Sequence, residues 1–246
     1  MKTTSHGVAD IFVLIAFFLP ALSASAQPQY DVRLLPQVPG ASVTLATSLN
    51  DNELATYIAI INGQSFAYYT DGTSLFRIPG LANEGDRNSV RCSNRNNEFF
   101  GSGFIDDGSG FPPPTPYVRS AGITTILPLP SGATGAVPHS AKETGLAVGM
   151  TFLSNLPVVW NRTAGTAEIV SLPTMLQGSL DSVNNAGLAV GSWVDTDLHV
   201  HGLAFDESGP YSLPSLGGDG TVANHADSSG AVVCPSGGLL GPLNCV

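Results

Sequence analysis

The chain has 246 residues, including 28 Gly and 18 Pro, with 11% charged residues and a net charge of −10. Average globular chains carry roughly 25% charged residues, so this surface is mostly neutral and polar with an acidic excess. That excess repels phosphate backbones and anionic lipid and argues against a nucleic-acid partner. The 43% of apolar residues, recurring at regular places, argue against disorder.

Residues 1–26 read as a secretory signal peptide. Lys2 supplies a positive start, Ile11 to Leu22 form an apolar run, and Ala24-Ser25-Ala26 is a small-x-small cleavage site. The run is shorter than the about 20 apolar residues of a spanning helix. Asp10, just ahead of it, is atypical of a signal and keeps an N-terminal membrane anchor as the alternative. Cleavage after Ala26 removes Lys2 and Asp10 together, so the net charge is unchanged. The expectation is a secreted or periplasmic monomer, with no membrane attachment after cleavage.

Beyond residue 36 the chain repeats itself. Leu54-Ala55-Thr56-Tyr57, Phe99-Phe100-Gly101, Leu146-Ala147-Val148-Gly149, Leu188-Ala189-Val190-Gly191 and Ala231-Val232-Val233-Cys234 end at positions 57, 101, 149, 191 and 234. The steps of 44, 48, 42 and 43 residues indicate an array of similar units. Each unit divides into four short segments. A first segment leads into a polar turn such as Asn50-Asp51-Asn52-Glu53 or Asn184-Asn185-Ala186-Gly187, whose residue types tolerate left-handed backbone angles. The small-aliphatic run is the second. An aromatic segment follows, as in Ser65-Phe66-Ala67-Tyr68-Tyr69, Pro116-Tyr117-Val118, Pro157-Val158-Val159-Trp160 and Gly202-Leu203-Ala204-Phe205. The fourth closes on Pro79, Pro128, Pro173 or Pro214, which suits a strand terminus because proline has no N–H for the ladder. Short alternating segments of this kind are half-buried antiparallel strands.

The predicted fold is therefore all-β: a five-bladed β-propeller-like repeat array. Residues 27–246 form a single β-repeat domain with units at about 37–79, 80–128, 129–173, 174–214 and 215–246. Tyr30 to Pro36 matches the fourth segment, so the N-terminal strand is expected to complete the last unit and close the ring. An open β-array or an irregular β-sandwich is the alternative. Cys234 stands where three other units have Gly, and Leu239 to Val246 lacks the aromatic strand.

The fourth unit, from Ser182-Val183-Asn184-Asn185-Ala186-Gly187 through His201-Gly202-Leu203-Ala204-Phe205 to Leu216-Gly217-Gly218, resembles the HAF repeat of exported bacterial proteins. That repeat is similar to A-x-x-I-N-x-x-G-x-V-V-G followed by H-A-F-x-W and L-G-x-L-G-G. Here two residues separate His201 from Ala204-Phe205, and the element is degraded in the other units. The resemblance implies a secreted, propeller-like protein. It carries no catalytic residues over to this chain.

The richest candidate for chemistry is Asp195-Thr196-Asp197-Leu198-His199-Val200-His201. On a strand, Asp195, Asp197, His199 and His201 share one face, and two carboxylates with two imidazoles suit a divalent metal. A solvated face of the link between second and third strands is the alternative, since His201 occupies a repeat position. Asp106-Asp107-Gly108 and Asp219 are similar to acidic calcium loops but lack EF-hand alternation, so they read as polar turns. His139 and His225 occupy nearly equivalent places in different units, as structural residues would. Phe111-Pro112-Pro113-Pro114-Thr115-Pro116 reads as an extended loop, and Asn161-Arg162-Thr163 fits a glycosylation acceptor. Three cysteines suggest a disulfide between Cys234 and Cys245, with Cys92 as a small buried residue.

No Gly-x-Ser-x-Gly elbow or Cys/His pair stands out. No cofactor and no catalytic residue is assigned. The expected function is an exported, non-catalytic binding or structural module for a protein, glycan or surface ligand. A secreted hydrolase or lyase acting on an extracellular polymer, with carboxylates gathered from distant units, is the second reading.

Overall fold

The computed structural model describes residues 34–82, 86–105, 112–215 and 220–234. Four antiparallel sheets of four strands follow one another along the chain. The first holds β1 (Val43–Leu49), β2 (Ala55–Ile61), β3 (Gln64–Thr70) and β4 (Leu75–Arg77). The second holds β5 (Asn88–Ser93), β6 (Phe99–Gly103), β7 (Thr115–Ser120) and β8 (Ile123–Ile126). The third holds β9 (Ala136–Ala141), β10 (Leu146–Thr151), β11 (Pro157–Asn161) and β12 (Thr166–Ile169). The fourth holds β13 (Met175–Val183), β14 (Ala189–Asp195), β15 (Val200–Asp206) and β16 (Gly209–Ser212). A two-stranded sheet, β17 (His225–Ala226) and β18 (Val232–Val233), comes last. The strands in every sheet are ordered as in the chain, a meander.

The first strands β1, β5, β9, β13 and β17 touch in succession, and each after β1 also packs on its predecessor's sheet. The apolar core therefore lies between sheets, in slabs. Ala67, Ile78, Val90 and Tyr117 fill the first gap. Phe100, Ala147, Val158 and Trp160 fill the second, where the Trp160 indole donates to the Pro128 carbonyl at 2.8 Å. Val148, Val159, Leu180 and Leu203 fill the third, and Val190, Ala204, Ala226 and Cys234 the fourth. Burying a large aliphatic or aromatic side chain contributes about 1.5–3 kcal/mol, so the repeated apolar run holds neighbouring sheets together.

Each four-stranded sheet has a register shift in its first strand, between Ala46 and Ser48, Val90 and Cys92, Pro138 and Ser140, and Leu180 and Ser182. These bulges explain the glycine that ends the second segment. A Cβ on Gly101, Gly149 or Gly191 would lie 1.9–2.0 Å from the carbonyl oxygen of Ser89, Val137 or Ser179. Only a residue with no side chain lets the two backbones approach so closely. The first sheet accommodates Tyr57 at this place, buried to 1% exposure.

Leu34, Leu35 and Pro36 carry no strand, and residues 30–33 lie outside the described residues. The signal segment 1–26, Asp106 to Phe111, Leu216 to Asp219 and Cys245 also lie outside them. Pro112 to Pro114 are irregular, as expected of an extended loop, and Pro116 enters β7. The Pro114 carbonyl accepts the N–H of Ala136 at 3.0 Å, anchoring the next sheet.

Candidate functional site

The turns joining first to second strands are built on one side chain. Asn50 Oδ1 accepts the N–H groups of Asn52 and Leu54, and Asn94 Oδ1 those of Asn96 and Glu98. Asn184 Oδ1 accepts from Leu188, and Asp227 Oδ1 from Ser229 and Ala231. A short acceptor side chain folding back on its own backbone is the Asx-turn arrangement. The amide ends of the same asparagines reach the next unit. Asn50 Nδ2 donates to the Asn94 carbonyl at 2.9 Å, Asn94 Nδ2 to the Lys142 carbonyl at 3.2 Å, and Asn184 Nδ2 to the Asp227 carbonyl at 2.7 Å. Lys142 interrupts this ladder, because an ammonium cannot make the paired contacts of a carboxamide.

A second ladder runs beside it. Ser48 Oγ accepts the N–H of Ser93, Ser140 Oγ that of Val183, and Ser182 Oγ that of Ala226. Cys92 occupies the equivalent place and takes the Ala141 N–H. It is a free cysteine, partly rather than fully buried, and desolvation pushes its thiol up to about 12. Cys234 is disulfide-bonded.

The five turns converge on a cavity of about 400 Å3, lined by Asn50 and Asp51, Asn94 and Arg95, Ala141 and Glu143, Asn184 and Asn185, and His225 to Ser228. Arg95 spans its mouth. Its Nε lies 2.9 Å from Asp51 Oδ2, Nη2 bonds the same oxygen, and Glu143 Oε1 is 4.0 Å away. Asp227 is held below the ordinary carboxylate range by the Ser229 hydroxyl and by backbone N–H groups. The cavity is thus polar and carries charges of both signs. Behind it, Glu98 bridges the second and third sheets. Its carboxylate takes Arg162 Nη2 at 2.6 Å and Nη1 at 2.9 Å, and the Asn94 amide at 2.7 Å.

The segment Asp195 to His201 lies at the other end of the fourth sheet, where Asp195 ends β14 and Val200 and His201 open β15. It is the hairpin between β14 and β15. Asp195 Oδ1 accepts the N–H groups of Asp197 and His199, which bends the chain into a turn with Leu198 at φ 66°. The segment is thus the link between second and third strands, and Asp195, Asp197, His199 and His201 do not share one strand face. The hairpin still gathers the residues, since the donor atoms of Asp195, Asp197 and His199 lie within 4.8 Å of one another. His201 Nε2 sits 2.8 Å from Asp195 Oδ2 and His199 Nδ1 3.5 Å from it. His201 foremost, then the His199 N–H, lowers the Asp195 carboxyl to about 2. The His201 ring stacks on Trp193 with centroids 4.6 Å apart. Both oxygens of Asp195 therefore already hold the turn together, and a cation would have to displace His201. His139 and His225 approach adjacent residues of β13. Their Nδ1 atoms lie 2.9 Å from Asp181 Oδ1 and 3.1 Å from Ser182 Oγ.

The ladders and the Glu98–Arg162 pair were not anticipated from sequence. The signal was present as Ser48-Leu49-Asn50, Cys92-Ser93-Asn94, Ser140-Ala141-Lys142, Ser182-Val183-Asn184 and His225-Ala226-Asp227, one period apart each time.

No family model and no curated protein matches the chain. Solved structures do. A putative TolB from Agrobacterium tumefaciens aligns with TM-score 0.52 at 8% identity, covering 80% of this chain and 72% of its own. YCF48 bound to D1 peptide aligns with TM-score 0.50 at 15% identity, covering 86% and 66%. A chain of a nidogen/laminin complex aligns with TM-score 0.49 at 12% identity, covering 82% and 78%. Together with the four meanders, the likeness defines an all-β, propeller-like protein.

Proposed function

We propose that the chain is an exported five-bladed β-propeller of the HAF-repeat type that acts without catalysis and holds a protein partner at its axial cavity. The observation that carries this reading is the cavity itself. One turn, repeated in five successive units, builds its rim, and Arg95 is engaged with Asp51 there. Fixed amides and charges of both signs suit recognition of a polar segment of another chain. A general acid needs a carboxyl held protonated near neutral pH, and Asp227 is shifted the opposite way. The structural relative YCF48 is bound to a D1 peptide, which supports a peptide-like partner.

Ring closure belongs to the same proposal. Residues 44–46 of β1 are exposed, whereas their counterparts 88–90 of β5 are buried against the preceding sheet. A fifth blade, made of β17, β18, the C-terminal segment tied by a Cys234–Cys245 disulfide, and residues 30–36, covers that face of β1. The signal peptide is removed after Ala26.

The test is a panel of synthetic peptides and extracellular polysaccharides, scored for binding and for turnover. Peptide binding lost in Arg95→Glu, without polymer turnover, supports the proposal. Turnover of any polymer, abolished by Glu143→Gln, would replace it with the hydrolase or lyase reading. Mass spectrometry of the exported protein checks a start at Gln27.

A further inference from the structure

The bulge in each first strand does more than bring two backbones close at a glycine. It leaves one residue per sheet without a place in the ladder: Thr47, Arg91, His139 and Asp181. Asn224 stands at the matching place just ahead of β17. The five follow one another in steps of 44, 48, 42 and 43 residues, the same steps as the ends of the apolar runs. Bulges re-aim side chains and recur beside binding sites. Two positions further along the same strands, Leu49, Ser93, Ala141, Val183 and Ala226 all line the axial cavity. The bulged residues are therefore the next ring down, at the floor of that cavity.

Two members of the ring meet across units. His139 Nδ1 lies 2.9 Å from Asp181 Oδ1, and the Ser179 hydroxyl donates to Asp181 Oδ2 at 3.1 Å. The side chains of His139 and Asp181 are 19% and 34% exposed, withdrawn from bulk solvent but open to the axis. With a carboxylate facing Nδ1, the ring proton sits there and Nε2 is left as an acceptor. Nε2 has no partner among the described residues. Arg91 is the neighbour of His139 in the ring. The other described arginines are all engaged: Arg77 over Phe66, Arg87 over Phe104, Arg95 on Asp51, Arg119 on Thr124 Oγ1 and Arg162 on Glu98. Arg91 has no hydrogen bond, ion pair or ring contact among the described residues, in a chain of net charge −10. A guanidinium left unanswered on an innermost strand, amid an excess of carboxylates, is open to an incoming anion.

These two groups specify a ligand. The planar fork of a guanidinium matches the two oxygens of a carboxylate, and a neutral imidazole nitrogen accepts from an N–H or O–H. A cation would be repelled by Arg91, and a neutral ligand would leave it unanswered. We propose that the bulge ring binds a carboxylate that carries an N–H or O–H beside it, Arg91 pairing the oxygens and His139 Nε2 accepting from the neighbouring donor. Asp181 and Ser179 are positioning residues, fixing the His139 ring through Nδ1. The inference rests on the axial cavity being the binding site, and it deepens the protein-partner reading by naming what the floor holds. A segment of a partner chain and a free small acid both supply this chemistry.

The test follows the His139 ring signal by NMR in the exported protein, with His139→Leu to assign it. The probes are N-acetylalanine and lactate, which carry the donor, acetate, which lacks it, and N-acetylalaninamide, which lacks the carboxylate. The expected result is a saturable shift with N-acetylalanine and lactate, about tenfold weaker binding of acetate, and no shift with the amide. Arg91→Gln, an exposed position that leaves the fold intact, should weaken N-acetylalanine about tenfold or more. A second arm uses a four-alanine peptide, with its carboxylate free or capped. Binding of the free peptide as well as N-acetylalanine identifies a partner chain. Binding of the small acids alone identifies a free acid, which rejects the protein-partner reading and leaves this one standing. Peptide binding indifferent to its carboxylate and to Arg91→Gln does the reverse. The proposal is also overturned if no carboxylate moves the His139 signal or if N-acetylalaninamide binds as well as N-acetylalanine. Equal affinity for acetate overturns the role of His139.

Discussion

The Asn50 side chain closes its own turn with Oδ1 and, through Nδ2, hydrogen-bonds the carbonyl of Asn94 at 2.9 Å, the residue at the same place in the next sheet. One carboxamide thus serves two levels of structure at once. Its acceptor fixes a hairpin, and its donor sets the position of the neighbouring sheet. Repetition of that residue turns a local turn signal into a rule for assembling sheets.

Asn50→Ala should therefore cost more than an ordinary surface substitution. It removes two interunit bonds, to the Asn94 carbonyl and Asn97 Oδ1, and the acceptor of two backbone N–H groups at a buried position, for which a loss of about 1–3 kcal/mol is expected. Asn52→Ala removes two exposed bonds, to the Arg95 carbonyl and Asn97 Oδ1, without leaving a buried group unpaired, and should cost less, about 0.5–1 kcal/mol. Conversely, Lys142→Asn restores the missing rung and should stabilise by about 0.5–1.5 kcal/mol. Urea denaturation of the three variants decides this. Equal midpoints for Asn50→Ala and Asn52→Ala would refute a structural ladder.

Arg162→Ala should be among the most damaging single changes. It leaves the Glu98 carboxylate, whose side chain is 11% exposed, without its bidentate partner. Removing one member of a buried pair costs about 3–5 kcal/mol. Arg162→Ala/Glu98→Gln should recover part of that loss, because the uncompensated charge disappears. The thermal midpoints of the single and double variants measure the coupling.

Closure of the ring is open to a single substitution. Leu45 is 55% exposed on β1 among the described residues. If the fifth blade covers it, Leu45→Asp buries a charge and costs several kcal/mol. If that face of β1 is bare, the change stays within about 0.5 kcal/mol. Calorimetry of this one variant separates a ring from an open array.

Acid should weaken the fold through its turn carboxylates. The Ser74 and Thr73 N–H groups lower Asp71 from 3.8 to about 2, and His201 with the His199 N–H does the same for Asp195. A carboxyl depressed in the folded state stabilises at pH values above its unfolded pKa. That contribution fades as pH falls from about 4 to about 2. The slope of the thermal midpoint against pH in this window should be shallower in Asp71→Asn/Asp195→Asn than in the native chain. An identical slope would show that other carboxylates govern acid stability.

Repetition made the architecture readable. Leu146-Ala147-Val148-Gly149 and Leu188-Ala189-Val190-Gly191 recur because each second strand must pass under the bulged carbonyl of its first strand. A constraint met once per unit leaves a periodic trace. The Asp195 to His201 segment admitted two readings, a shared strand face and a link between second and third strands, and the structure shows the link. Alternating Asp and His fit a period of two, but the short Asp195 side chain captured two backbone N–H groups and made a turn. Glu98 and Arg162 lie 64 residues apart and occur once, so no periodicity could connect them.

The amino-acid sequence by itself determined the unit: its length, its four short strands, its turns and the small residues its backbones require. These follow from local sterics and from hydrogen bonding within a few residues, which recur wherever the same types recur. Only the tertiary structure decided which side chains meet across units, such as Asn50 with Asn94, Arg95 with Asp51 and Glu143, or Trp193 with His201. The angle and spacing between successive sheets set those meetings, and packing over long sequence separations sets that geometry in turn.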